Sequence, residues 1–190
     1  MSKTICVYCS SSEALDPSYY QAANELGAQM ARQNYTLVYG GGKISLMGAL
    51  ARSIHQYGGK VIGVIPKSLG EKELAYEACD ELIVTKDLRD RKAIMETRAD
   101  AFVALPGGFG TLEEVFEILT LKQLQFHLKP IVLMNTNGFY DHFVRLCEHI
   151  YRERFAKPDS RQLYHITPNA AGIFSYLKTF QPPQLQSKWF

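Results

Sequence analysis

The sequence has no apolar run long enough to cross a bilayer, a task that takes about 20 consecutive residues. Its start also lacks the long apolar segment and small-residue cleavage site of a secretory leader. Met1-Ser2-Lys3-Thr4-Ile5-Cys6-Val7-Tyr8 runs straight into a strand-like segment. An excess of one charge is missing too. The 21 Lys and Arg nearly balance the 19 Asp and Glu, and a formal net charge of +2 gives no field for a nucleic acid polymer or an anionic membrane. These absences predict a cytoplasmic protein with neither kind of partner.

Cysteine is scarce. Cys6, Cys9, Cys79 and Cys147 are too few for a disulfide framework in a chain of 190 residues. Cys6 and Cys9 form a C-x-x-C pair with no second pair to match it. Positions three apart on a strand face opposite sides of the sheet, which suits neither zinc nor a redox couple. Ordinary buried thiols are expected. The histidines (His55, His127, His142, His149, His165) are scattered, no close His/Cys/Asp cluster suggests a metal, and no cofactor is expected. Two phosphate-binding fingerprints are absent as well. The Walker A spacing does not occur, and Gly40-x-Gly42-x-x-Ser45 lacks the third Gly or Ala of the dinucleotide pattern. The following strand ends Val64-Ile65-Pro66-Lys67, without a carboxylate for an adenosine ribose.

What is present is a chain 46% hydrophobic, enough for one domain over residues 1–180, with 181–190 as a flexible tail. Short Val/Ile/Leu-rich runs without polar alternation predict strands covered on both faces. They are Thr4 to Cys9, Thr36 to Tyr39, Lys60 to Ile65, Leu82 to Thr85, Ala101 to Leu105 and Pro130 to Asn135. Helical patterns alternate with them: from Pro17, from Ser45, over Arg89 to Thr97, from Thr111, over Phe139 to Arg154, and after Pro168. This alternation predicts an α/β fold, a Rossmann-like doubly wound parallel sheet flanked by helices on both faces.

In such sheets ligands bind outside the carboxyl ends of the strands. Two glycine-rich loops fall there: Tyr39-Gly40-Gly41-Gly42-Lys43 and Pro106-Gly107-Gly108-Phe109-Gly110-Thr111. Glycines let backbone approach a ligand, and a helix start beyond them favours an anion. Two such loops at one sheet edge suggest a phosphorylated ligand, resting on Gly107, Gly108, Gly110 and Thr111. Taken singly, either loop is explained equally well as a strand-to-helix turn.

Thr111-Leu112-Glu113-Glu114 also has the form of a capping box, in which Glu114 reaches back to the Thr111 N–H. The alternative places Glu114 at the phosphate pocket. Arg91-Lys92, on the preceding helix, reads either as a solvated basic pair or as facing the same cleft. Arg98 reads as a helix C-terminal charge.

Together these residues resemble the LOG family of cytokinin-activating phosphoribohydrolases, long labelled possible lysine decarboxylases. Pro106 to Glu114 matches the family signature P-G-G-x-G-T-x-x-E in full. Tyr39 to Gly48 follows Y-G-G-G-x-x-G-L-M-G except for Ser45, and Arg91-Lys92-Ala93-Ile94-Met95 follows R-K-x-x-M. Cys9-Ser10-Ser11-Ser12 follows C-G-S-S except for Ser10, and Ile65, Pro66, Leu69 and Glu73 match a further stretch. The resemblance implies a homodimer that cleaves N6-substituted adenosine 5′-monophosphates, with adenosine monophosphate itself a further candidate nucleoside 5′-monophosphate substrate. It implies Arg91 and Glu114 as the catalytic pair. Its implied substrate-binding set is Gly41, Gly42, Glu73, Arg91, Lys92, Pro106, Gly107, Gly108, Gly110, Thr111 and Glu114. Ser10 and Ser45 depart from the pattern inside binding loops. Two other readings remain: a nucleotide or molybdenum-cofactor carrier without hydrolysis, and a pyridoxal phosphate decarboxylase, which would need a lysine to hold the cofactor.

Overall fold

Strands that are apolar on both sides need helices over both faces, and the chain supplies them in alternation. The computed structural model describes residues 3–70 and 74–185. In chain order these form β1 (Thr4–Tyr8), α1 (Pro17–Arg32), β2 (Thr36–Tyr39), α2 (Ser45–Gln56), β3 (Val61–Pro66), α3 (Lys67–Gly70) and β4 (Glu81–Thr85). Then follow α4 (Leu88–Arg98), β5 (Ala101–Ala104), α5 (Phe109–Gln123), β6 (Ile131–Met134), α6 (Asp141–Arg152), β7 (His165–Thr167) and α7 (Ala170–Thr179). Every strand pairing is parallel, in the order β4-β3-β2-β1-β5-β6-β7.

Alternation along each strand splits the core in two. Ile5, Val7 and Cys9 point to the layer built by α1, α2 and α7, where Leu26, Leu50, Ile54 and Ile173 are fully buried. Cys6 and Tyr8 point to the opposite layer, with Met95 of α4, Val115 and Ile118 of α5, and Phe143 of α6. Each such side chain contributes about 1.5–3 kcal/mol of burial. Cys6 and Cys9 therefore lie on opposite faces, and all four cysteines are free thiols.

Strand order reverses at β1. The chain winds outward to β4 on one side, then α4 returns across the sheet and β5 starts the other half. The crevice between the ends of β1 and β5 is thus the topological switch point.

The observed elements depart from expectation in a few places. β7 was not anticipated, because His165-Ile166-Thr167 is only three residues long and half-buried at the sheet edge. Short α3 was not anticipated either. α5 begins at Phe109 rather than Thr111, with Gly108 as its N-cap, so the capping-box alternative does not hold. Of the expected tail, residues 181–185 carry no regular structure, yet Leu185 packs against the core and its carbonyl accepts from Gln125 Nε2 at 3.3 Å. Residues 186–190 and the candidate Glu73 lie outside the described residues.

Candidate active site

A cavity of about 420 Å³ opens at the switch point, within the size range of small-ligand sites. Three loops meet there: Cys9–Ser12 after β1, Gly40–Gly42 after β2, and Gly108–Thr111 at the head of α5. A larger groove of about 780 Å³ lies between α1 and α2, on the helical layer away from this edge.

Arg91 and Glu114 reach the cavity from two different helices. The Asp87 carboxylate caps α4 by accepting from the Arg89 and Asp90 N–H groups, which fixes the helix start. Arg91 then lies one turn before buried Met95 and shares its inward face. On α5, Thr111, Glu114, Val115, Ile118 and Leu119 form the buried stripe, so Glu114 also faces inward. Arg91 Nη1 donates to Glu114 Oε1 at 3.0 Å, and Arg91 Nε donates to the Val64 carbonyl at 3.1 Å. The two side chains are only 14% and 9% exposed, so this ion pair is largely desolvated. Burial pushes the Glu114 carboxyl up to about 7, and the Arg91 charge and hydrogen bond only partly offset it.

The glycines divide by what surrounds them. A Cβ on Gly40 would fall 1.9 Å from Arg91 Nη2, so Gly40 is the seat of that guanidinium. Gly41 adopts φ +72°, a turn conformation glycine accepts without strain. Tyr39 Oη donates to the Gly42 carbonyl at 3.1 Å and shapes the same loop. Residues 74–76 cover the loop from outside: Lys43 N–H donates to the Leu74 carbonyl and Tyr76 N–H to the Gly41 carbonyl. In the second loop a Cβ on Gly107 would strike Thr111 Oγ1 at 2.1 Å. Gly108 and Gly110 meet nothing, because their missing side chains would point into open space. The first α5 hydrogen bond runs from Leu112 N–H to the Gly108 carbonyl. The preceding amides are left as donors at the positive end of the helix.

Of the expected site residues, the cavity wall contains Gly42, Arg91, Gly108, Gly110, Thr111 and Glu114. Gly41, Lys92, Pro106 and Gly107 do not line it. Lys92 is engaged elsewhere, as Nζ pairs with Glu113 and, at 2.8 Å, with Glu117, bracing α4 against α5. Arg98 is likewise taken, holding Glu81 through both terminal nitrogens. Sequence reasoning missed the role of Gly40, whose neighbour Arg91 is 51 positions away. It also missed an apolar wall of Ile44, Met47, Ile65, Leu69 and Leu74. Only the motif spacing around Gly40 and Leu69 hinted at either.

Chemically the arrangement offers an anion cradle, a buried carboxylate of raised pKa, an arginine to steer it, and an apolar wall. Burial raises the Cys6 and Cys9 thiols well above their usual range, so neither is a thiolate nucleophile at neutral pH. Among the described residues no lysine lines the cavity, and no group of His, Cys, Asp and Glu is placed to hold a metal ion. No described helix is long and apolar enough to cross a membrane.

Residues 47–177 match the family model described as possible lysine decarboxylase. The cytokinin riboside 5′-monophosphate phosphoribohydrolase LOG of Oryza sativa subsp. japonica is 43% identical over 95% of this chain and 74% of its own length. LOG7 of Arabidopsis thaliana, of the same description, is 41% identical over 95% of this chain and 83% of its own. Among solved structures, the molybdenum cofactor carrier protein of Chlamydomonas reinhardtii superposes with a TM-score of 0.71 at 26% identity, covering 94% of this chain and 97% of that one. With the full signature on α5, its upstream arginine on α4, and relatives of this identity along nearly the whole chain, the protein belongs to the LOG family.

Proposed function

We propose that the protein hydrolyses the N-glycosidic bond of adenosine 5′-monophosphates, N6-substituted ones included, to free base and ribose 5-phosphate. The observation that carries this is the buried Arg91–Glu114 pair, set in one cavity with the bare amides at the head of α5. Breaking the C1′–N9 bond puts positive charge on the ribose ring and negative charge on the departing base. An ionised Glu114 beside C1′ stabilises the oxocarbenium-like transition state and orients the attacking water. Water oxygen bonds to C1′ as the C1′–N9 pair leaves with the base, and the water proton ends on the base. Arg91 aims Glu114 and offsets part of the rise that burial gives its pKa. It is not a proton donor, because a guanidinium holds its proton.

The phosphate lies against the Gly108–Thr111 amides, and the apolar wall takes the purine with its N6 substituent. No step requires a metal or cofactor. The family resemblance supports a homodimer, and the four free thiols favour a reducing compartment, the cytoplasm.

The test is to incubate the protein with adenosine monophosphate, an N6-substituted analogue and unphosphorylated adenosine, and to quantify free base. Release from the two nucleotides but not the nucleoside is expected. The structural likeness to the Chlamydomonas carrier favours a second reading, a non-hydrolytic carrier of a nucleotide or of molybdenum cofactor. It predicts binding with no base released.

A further inference from the structure

The two serines that depart from the family pattern act on one residue. Ser45, at the head of α2, has φ +50°, a left-handed backbone that glycine adopts freely and serine does not. Its hydroxyl donates to the Ser12 carbonyl. Ser10 Oγ accepts from the Ser12 N–H at 3.0 Å. Both polar groups of the Ser12 backbone are therefore held by side chains that glycine at positions 10 and 45 would lack. Ser10 and Ser45 are buried and Ser11 and Ser12 exposed; Ser10, Ser11 and Ser12 line the cavity, and Ser45 stands outside it. The loop they pin is the β1 rim of the switch-point crevice, facing the Gly108–Thr111 cradle.

We propose that Ser10 and Ser45 are positioning residues that clamp Ser12, holding the β1 loop in its ligand-binding shape before substrate arrives. The backbone strain at Ser45 persists because its hydroxyl fixes a second loop. A loop already ordered costs less to bind against. The clamp therefore acts on affinity rather than on the chemical step, which belongs to Arg91 and Glu114. This inference rests on the proposed nucleotide site.

Two measurements test it. In the free protein, Ser45→Gly should speed hydrogen exchange of the Ser12 amide by about tenfold, because that loop now opens locally. In adenosine monophosphate hydrolysis, Ser45→Gly and Ser45→Ala should each raise KM by about fivefold, with kcat within about twofold of the parent. The two variants differ in strain but share the lost hydroxyl, so equal KM effects assign the change to the hydrogen bond. Ser10→Ala should raise KM similarly, and combining it with Ser45→Ala should add less than the product of the two, because both act on Ser12. Unchanged exchange, unchanged KM, or strictly multiplicative effects overturn the clamp. Should the parent neither bind nor hydrolyse the nucleotide, the proposed function fails, and the exchange experiment alone decides the clamp.

Discussion

The two glycine loops look alike in sequence and do opposite work. In the first, protein atoms fill the space a side chain would take: the Arg91 guanidinium over Gly40, the Met47 methyl over Gly42. In the second, Gly108 and Gly110 face open space at the head of α5. One loop is bare so that the Arg91 side chain can lie across it; the other leaves open the space that the proposed function gives to the phosphate. A glycine-rich motif thus states that backbone is approached closely, and only the fold says by what.

This contrast is sharpest at Gly40. Gly40→Ala places a methyl where Arg91 Nη2 now sits. Because the guanidinium is the free end of a long side chain, it swings away and the fold survives. Turnover should fall about 100-fold, since a small misplacement at a catalytic group costs that much. Circular dichroism with steady-state kinetics checks it, and turnover within threefold of the parent would deny the first loop its role as a seat.

The raised Glu114 pKa gives the next effect. The proposed mechanism uses the ionised acid, so kcat should climb as pH rises from about 5 to 8, changing about tenfold per unit well below the pKa near 7. Stability moves the other way. The folded pKa lies above the ordinary 4.5, so the native state holds the proton more tightly than the unfolded chain. Glu114 thus costs stability progressively as pH rises from 4.5 through about 7, by at most about 1.4 kcal/mol per unit. Denaturant melts of the parent against Glu114→Gln across that window should show this slope in the parent alone. A matching slope in the variant would assign it elsewhere.

The second loop gives a smaller and different effect. Gly108→Val adds a branched side chain in open space, so thermal stability should hold while nucleotide affinity drops about tenfold, the loss of about 1.4 kcal/mol of phosphate contact. Calorimetry with adenosine monophosphate reads it. Unchanged affinity would move the phosphate off this loop. Smallest of all should be Lys92→Met. Its links to Glu113 and Glu117 brace α4 on α5 outside the cavity and contribute about 1 kcal/mol or less. A melt should show a small loss, and nucleotide affinity should not move. A large loss of affinity would return Lys92 to the binding set.

Much of this was legible in the sequence, and the gaps have physical causes. The inner strands showed because residues buried on both faces leave near-continuous apolar runs; β4 showed by its Leu82-Ile83-Val84 run although it lies at the sheet edge with Val84 exposed. β7 escaped because a three-residue strand at the sheet edge carries no such run. Glu114 was ambiguous because a capping box and an inward-facing acid share the same spacing. The helix start at Phe109 decides between them, and glycines at 108 and 110 gave no local hint of it. Arg91 was found from its motif, yet its inward aim depends on packing of weakly amphipathic α4, with Met95 its one buried residue. Lys92, adjacent in the same motif, pairs with Glu113 and Glu117 outside the cavity. Neighbours along a helix diverge by about 100°, and a motif lists both without saying which faces the ligand.

The most direct test of the whole account is a crystal structure of Glu114→Gln, which should bind without turning over, soaked with adenosine monophosphate. The phosphate should rest on the amides of residues 108–111, with C1′ beside the residue 114 amide and the purine against Met47 and Leu74. A phosphate bound elsewhere, or a ribose carbon turned away from residue 114, would contradict it.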